Sequence, residues 1–127
     1  MTNQAISSEN APKAVGPYSQ AVLAGNILFC SGQLGINPAS NELAKGFEAQ
    51  ANQALKNLQA VIEQAGFSLN QVVRCDIFLT DIKQFPEFNE LYGKFFSFEP
   101  KPARQTVEVS KLPKNALVEI SCVAVKP

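Results

Sequence analysis

The sequence predicts an α+β fold, a two-layer sandwich in which one sheet carries both helices on one face. Three observations predict it. Stretches with a two-residue apolar repeat alternate with stretches of three- to four-residue repeat. They follow in the order β-β-α-β-α-β-β within 127 residues, which suits one domain over 1–127. The last strand is apolar on both sides, so the face opposite the helices needs a cover, and a homo-oligomer is expected.

The first seventeen residues are polar, carry Pro12 and Pro17, and read as an arm. Residues 18–23 and 27–30 read as a hairpin turning at Ala24-Gly25-Asn26. Gly32, Gly35, Pro38 and Asn41 mark a loop to about Gly46. Ala51, Ala54, Leu55, Leu58, Val61, Ile62 and Ala65 then draw one apolar helical stripe. Gly66 suits its left-handed end, and Gly46 serves at its start, where no Ser, Thr, Asp or Asn stands.

From Val72 to Thr80 the period becomes two. Val73, Cys75, Ile77 and Leu79 form a core face, against a mixed face of Arg74, Asp76, Phe78 and Thr80. A second helix covers 86–96, with Pro86 in its first turn and Phe88, Leu91, Tyr92 and Phe95 inward. A stiff loop through Pro100 and Pro102 leads to strands 104–109 and 117–125, joined across Leu112-Pro113-Lys114-Asn115.

Composition closes off several chemistries. The chain has no histidine, which excludes Ser-His-Asp and Cys-His nucleophiles, a histidine base and His-ligated zinc. Proton transfer near neutral pH falls to a carboxylate, thiol, tyrosine, lysine or backbone group. Eleven basic against eleven acidic side chains, with scattered lysines, make nucleic acid an unexpected partner. No apolar run is long enough for a bilayer, and no basic-then-apolar segment opens the chain. Cys30, Cys75 and Cys122 form no C-x-x-C pair and sit among apolar residues, so they read as reduced core thiols in a cytoplasmic protein.

Few residues are left for chemistry. Glu119 interrupts an apolar strand, so it is either a desolvated carboxylate able to act as a base or an edge residue in water; the pattern favours neither. Arg104 follows Pro102-Ala103 and opens a strand, a setting for bidentate carboxylate capture or for a surface ion pair. Ser31-Gly32-Gln33 offers a hydroxyl and close backbone approach, or an ordinary turn. Tyr18 and Asn89 are weaker as isolated residues.

Together these residues carry a resemblance. Gly16-Pro17-Tyr18-Ser19-Gln20-Ala21, Ser31-Gly32-Gln33, Phe88-Asn89 with Tyr92, Pro102-Ala103-Arg104 and Val118-Glu119-Ile120 occur in order across the whole chain. The sequence resembles the RidA (YjgF) family of reactive-intermediate deaminases, most specifically between Pro102 and Ile120. The resemblance implies a chorismate mutase-like fold and a homotrimer whose open sheet faces build a central β-barrel, with sites between subunits. It implies hydrolysis of 2-imino acids or their enamine tautomers, such as 2-iminobutanoate and 2-iminopropanoate, to 2-oxo acids and ammonia. Such imines, released by pyridoxal-phosphate enzymes, damage other enzymes of that kind. No metal or organic cofactor is implied.

By matching position, Arg104 clamps the substrate carboxylate and Glu119 holds the attacking water or shares a proton with the imine. Tyr18, Ser31, Gly32, Asn89 and Thr106 line the pocket. Two positions depart from the family pattern: Thr106 stands where many members have cysteine, and Gln105 where a small residue is usual. Alternation points Gln105 away from the Arg104 face. Two other readings are a non-catalytic 2-oxo acid or small-carboxylate binder and, less favoured, an endoribonuclease; Glu119 beside Arg104 favours the enzyme.

Overall fold

The two periodicities resolve into six strands and two α-helices in a computed structural model that describes residues 2–127. They are β1 Gln4–Ile6, β2 Ala21–Ala24, β3 Ile27–Leu34, α1 Phe47–Gln64, β4 Val72–Leu79, α2 Phe85–Phe95, β5 Ala103–Glu108 and β6 Val118–Val125. The sheet order is β1-β2-β3-β6-β4-β5. All neighbours are antiparallel except β4 and β5, which α2 connects in parallel. The expected α+β sandwich is present, with both helices packed on one face of the sheet.

The α1 stripe is buried through Ala51, Ala54, Leu55, Leu58, Val61 and Ile62. Gly46 opens the helix without a side-chain cap, and Gly66 follows its end at φ +80. The stripe meets Leu28, Ile77, Val118 and Ile120 of the sheet, and Phe88 and Tyr92 of α2 complete the core. Two polar residues of α1 do work the stripe does not reveal. Buried Asn57 donates to the carbonyls of Leu34 at 3.0 Å and Ile36 at 2.8 Å, and Gln50 accepts from the Leu117 N–H at 2.8 Å. They fasten the end of β3 and the start of β6, so these strands hold a fixed place beside α1.

Three local expectations are corrected. The N-terminal arm contains a strand: Gln4–Ile6 pairs with β2, and Ile6 is buried. Three residues are too few to print a period. Strand β3 does not end at Cys30 but runs to Leu34, with a bulge between Cys30 and Gln33. The extra residue reverses the alternation, which made the second half look like a loop. A second bulge in β4, between Val72 and Arg74, buries Val72 and leaves Val73 47% exposed, the reverse of the core position expected for Val73.

The face away from the helices is open. Register places Val22, Phe29, Val123, Phe78 and Val107 on it, with Phe29 49% and Val107 44% exposed. Core packing yields a direct test. Leu58→Ala is expected to cost about 2–5 kcal/mol of unfolding free energy, against less than about 0.5 kcal/mol for exposed Lys56→Ala, measured by denaturant unfolding.

Candidate active site

Glu119 stands on the open face, near the start of β6, beside Leu34 of β3 and Phe78 of β4. The β3 bulge places Gly32 directly against it. A Cβ at Gly32 would lie 2.8 Å from the Glu119 carboxyl carbon, so the glycine makes the room the carboxylate occupies. Glu119 is half-buried and has no ion-pair or hydrogen-bond partner among the described residues. Burial alone raises its pKa above the ordinary carboxylate value. Of the two readings left open by the sequence, the desolvated carboxylate is the one observed.

Glu119 and Gly32 belong to a cleft of about 120 Å³ with Tyr18, Lys13 and Lys114. The arm forms one wall, and a single buried side chain fastens it. Gln20 accepts from the Ser8 N–H and donates to the carbonyls of Ser8 at 3.2 Å and Pro12 at 2.7 Å. Ser31 assists: its hydroxyl donates to the Ser19 carbonyl at 2.6 Å and its N–H to the Gln20 carbonyl at 2.9 Å. Ser31 therefore holds the Tyr18 segment in place and is not itself on the cleft wall. Gln20, Lys13 and Lys114 were not singled out as site residues by sequence; a glutamine inside an apolar stretch was the one available signal.

Arg104 lies elsewhere. Register pairs it with Cys75 and Thr106 with Ile77, so both side chains point to the helix side of edge strand β5. Glu119 points to the opposite side of the same sheet. The Arg104 guanidinium carbon sits 4.7 Å from the Tyr92 ring centroid and 5.3 Å from that of Phe85. No carboxylate pairs with it among the described residues, whose ion pairs are Arg74–Asp76 and Lys101–Glu99. The Thr106 hydroxyl is buried without a hydrogen-bond partner among the described residues. Asn89 is exposed on α2, apart from the Glu119 cleft. Gln105 turns away from Arg104, as alternation predicts, and its amide donates to Asp76 at 3.2 Å.

The three cysteines form a row: Cys30 faces Cys122 and Cys122 faces Cys75. All are buried and free. Burial is the main cause that pushes the Cys75 thiol up to about 11, so it stays protonated and non-nucleophilic at neutral pH. Among the described residues no group of three His, Cys, Asp or Glu side chains could hold a metal ion. No described helix is long and apolar enough to cross a membrane.

The structure thus holds one carboxyl with a raised pKa in a small cleft and, on the reverse face, one arginine with no ion-pair partner among the described residues. Residues 8–126 match the family described as Endoribonuclease L-PSP. A RutC family protein of Pyrococcus horikoshii is 48% identical over 97% of this chain and 98% of its own length. The crystal structure of RidA from an Antarctic Psychrobacter is 46% identical and superposes with a TM-score of 0.94, covering 97% of this chain and 99% of that one. E. coli TdcF, crystallised with bound serine, is 35% identical with a TM-score of 0.93, covering 98% and 99%. The chain belongs to the RidA/YjgF family.

Two outcomes follow from the Glu119 cleft. Gly32 lies against the flexible end of a side chain, so Gly32→Ala should move the carboxylate while changing unfolding free energy by less than about 1 kcal/mol. Glu119→Gln tests the raised pKa. A carboxyl with a higher pKa folded than unfolded binds more protons when folded, so its charge lowers stability as pH rises above the unfolded value of about 4.3. Glu119→Gln should therefore raise the melting temperature at pH 7, and the gain should vanish below about pH 4.

Proposed function

We propose that the chain is a 2-imino acid deaminase that hydrolyses 2-iminobutanoate and 2-iminopropanoate to 2-oxo acids and ammonia, sparing pyridoxal-phosphate enzymes from these imines. The observation that carries the reading is the separation of Arg104 and Glu119 onto opposite faces, each without a partner of opposite charge among the described residues. An unpaired guanidinium and an unpaired half-buried carboxyl are complementary halves of a site for a molecule with a carboxylate and a protonated imine. One copy cannot bring them together. A second copy laid against the open sheet face can, and a homotrimer closed around three such faces also covers Phe29, Val107 and Val123. The serine bound to TdcF is a small amino acid carrying a carboxylate, and it supports this ligand class.

In the completed site Arg104 of one copy binds the substrate carboxylate through two parallel N–H donors and so fixes the imine beside Glu119 of the other. Glu119 accepts a proton from a water as its oxygen bonds to C2 of the protonated imine. The resulting carbinolamine receives that proton on nitrogen. The C–N bond then breaks and ammonia leaves as the hydroxyl gives its proton to Glu119 and becomes the 2-oxo group; that proton departs with ammonia as ammonium. Orientation supplies much of the rate, because the protonated imine is already electrophilic. Tyr18 and the Gly32 backbone bound the pocket, with Ser31 acting through the arm. Thr106 and Asn89 border the Arg104 half. The chemistry proceeds without a metal or organic cofactor.

The bound serine equally favours a second reading, a small-carboxylate binder without turnover. One experiment separates them. The imine is generated in place, the remainder is trapped with semicarbazide, and the trapped fraction is compared with buffer. Wild type should lower it, Arg104→Ala should abolish the effect, and Glu119→Gln should reduce turnover by about a hundredfold or more while 2-oxo acid binding persists. A trapped fraction equal to buffer, with binding intact, would leave the binder. Cleavage of an RNA substrate that persists in Arg104→Ala would instead favour the activity in the family's description. The acid limb of the rate profile should lie above the ordinary glutamate range, since Glu119 must be ionised to accept the proton.

A further inference from the structure

We propose that Phe85 and Tyr92 are positioning residues for Arg104: their rings clamp the guanidinium and present its N–H fork to a carboxylate already oriented. The proposal rests on the reading that Arg104 takes the substrate carboxylate.

Residues 85 and 92 are seven apart on α2, two turns along nearly the same face, with their Cα atoms about 10 Å apart along the axis. A guanidinium carbon 5.3 Å from one ring centroid and 4.7 Å from the other fills that interval. Ring faces attract the cation through their negative quadrupole and restrict its rotation. Such a contact leaves the planar N–H fork of the guanidinium without a carboxylate to bind. Arg74 makes the contrast: two of its donors bond Asp76, at 3.1 and 3.3 Å. The Arg104 guanidinium lies within cation–π distance of two rings, and it has no carboxylate partner among the described residues.

The clamp is anchored in the core. Tyr92 is buried, and its ring packs on Phe96 at 4.8 Å and Phe88 at 5.7 Å between centroids. Its hydroxyl is buried beside the Cys75 thiol with no hydrogen bond of good geometry. The hydroxyl thus contributes little to the clamp, and the ring is the working part. A guanidinium already fixed loses less rotamer freedom when a carboxylate arrives. Removing a ring should weaken carboxylate binding and leave the chemical step alone.

The test uses the intact oligomer. The dissociation constant for 2-oxobutanoate is measured by calorimetry, and kcat and KM by imine trapping. Tyr92→Leu and Phe85→Leu should each weaken binding and raise KM by about five- to tenfold, with kcat within about twofold of wild type. Tyr92→Phe, which restores the ring without the hydroxyl, should recover most of that loss. A merely structural tyrosine would instead lower the active fraction and kcat while KM stayed put, and that split overturns the clamp. Phe85→Leu reports independently where Tyr92→Leu does not fold. Ring variants that bind like wild type, while Arg104→Ala abolishes binding, overturn the clamp and leave the deaminase reading standing. Wild-type binding retained by Arg104→Ala overturns both. Binding without turnover overturns the deaminase reading alone, and a loss of affinity in the ring variants then still supports the clamp.

Discussion

Strand alternation sets Arg104 and Glu119 on opposite sides of one sheet, and two strand spacings separate them, since β4 lies between β5 and β6. No side-chain rotation joins groups across a packed sheet. Each side chain is therefore held by its own surroundings, and in the proposed site each is one separate half. The Arg104 half is built on helix-side packing, where aromatic rings of α2 hold the cation. Glu119 rests against backbone, where a bulge brings Gly32 against the carboxyl, and no cation among the described residues pairs with it. An unpaired, half-desolvated carboxylate costs stability, and the fold tolerates that cost at one position of an otherwise apolar strand.

Much of the remaining structure serves to place that carboxyl. Gln50 and Asn57 tie β6 and the end of β3 to α1, so the bulge and Glu119 meet in register. Gln20 and Ser31 fix the arm whose Pro12, Lys13 and Tyr18 close the cleft. These ties are buried or part-buried hydrogen bonds from neutral groups, each worth about 1 kcal/mol net but costly to leave unmade. Their effect is geometric more than energetic: they hold a polypeptide arm over a site that a purely apolar contact would leave free to slide.

The layer architecture was legible because α1, α2 and most of β4 each carry a regular period and β6 is a long apolar run. Leu58 and Ile120 fall where their repeats place them, and Glu119 stood out as the break in its strand. Strand β1 was not legible, since three residues hold too little pattern. The bulges were not legible either. One inserted residue reverses every side chain beyond it, so Val73 left the core and residues 31–34 looked like loop. The opposite facing of Arg104 and Glu119 depends on long-range register between Cys75 and Arg104 and between Phe78 and Glu119. Such pairing is set by the packed core, and no local window of sequence contains it. The tie made by Gln20 and the contact of Phe85 with Arg104 were hidden for the same reason, because each reaches a residue distant in sequence.

The central claim is that one working site takes Arg104 from one copy and Glu119 from another, and subunit mixing tests it most directly. Arg104→Ala and Glu119→Gln chains, each inactive alone, are coexpressed in equal amounts and their assembled oligomers assayed for imine hydrolysis. Random assortment in a closed ring pairs an intact Arg104 with an intact Glu119 at about one interface in four, so about a quarter of wild-type activity should return. Mixed oligomers as inactive as either parent would contradict the account.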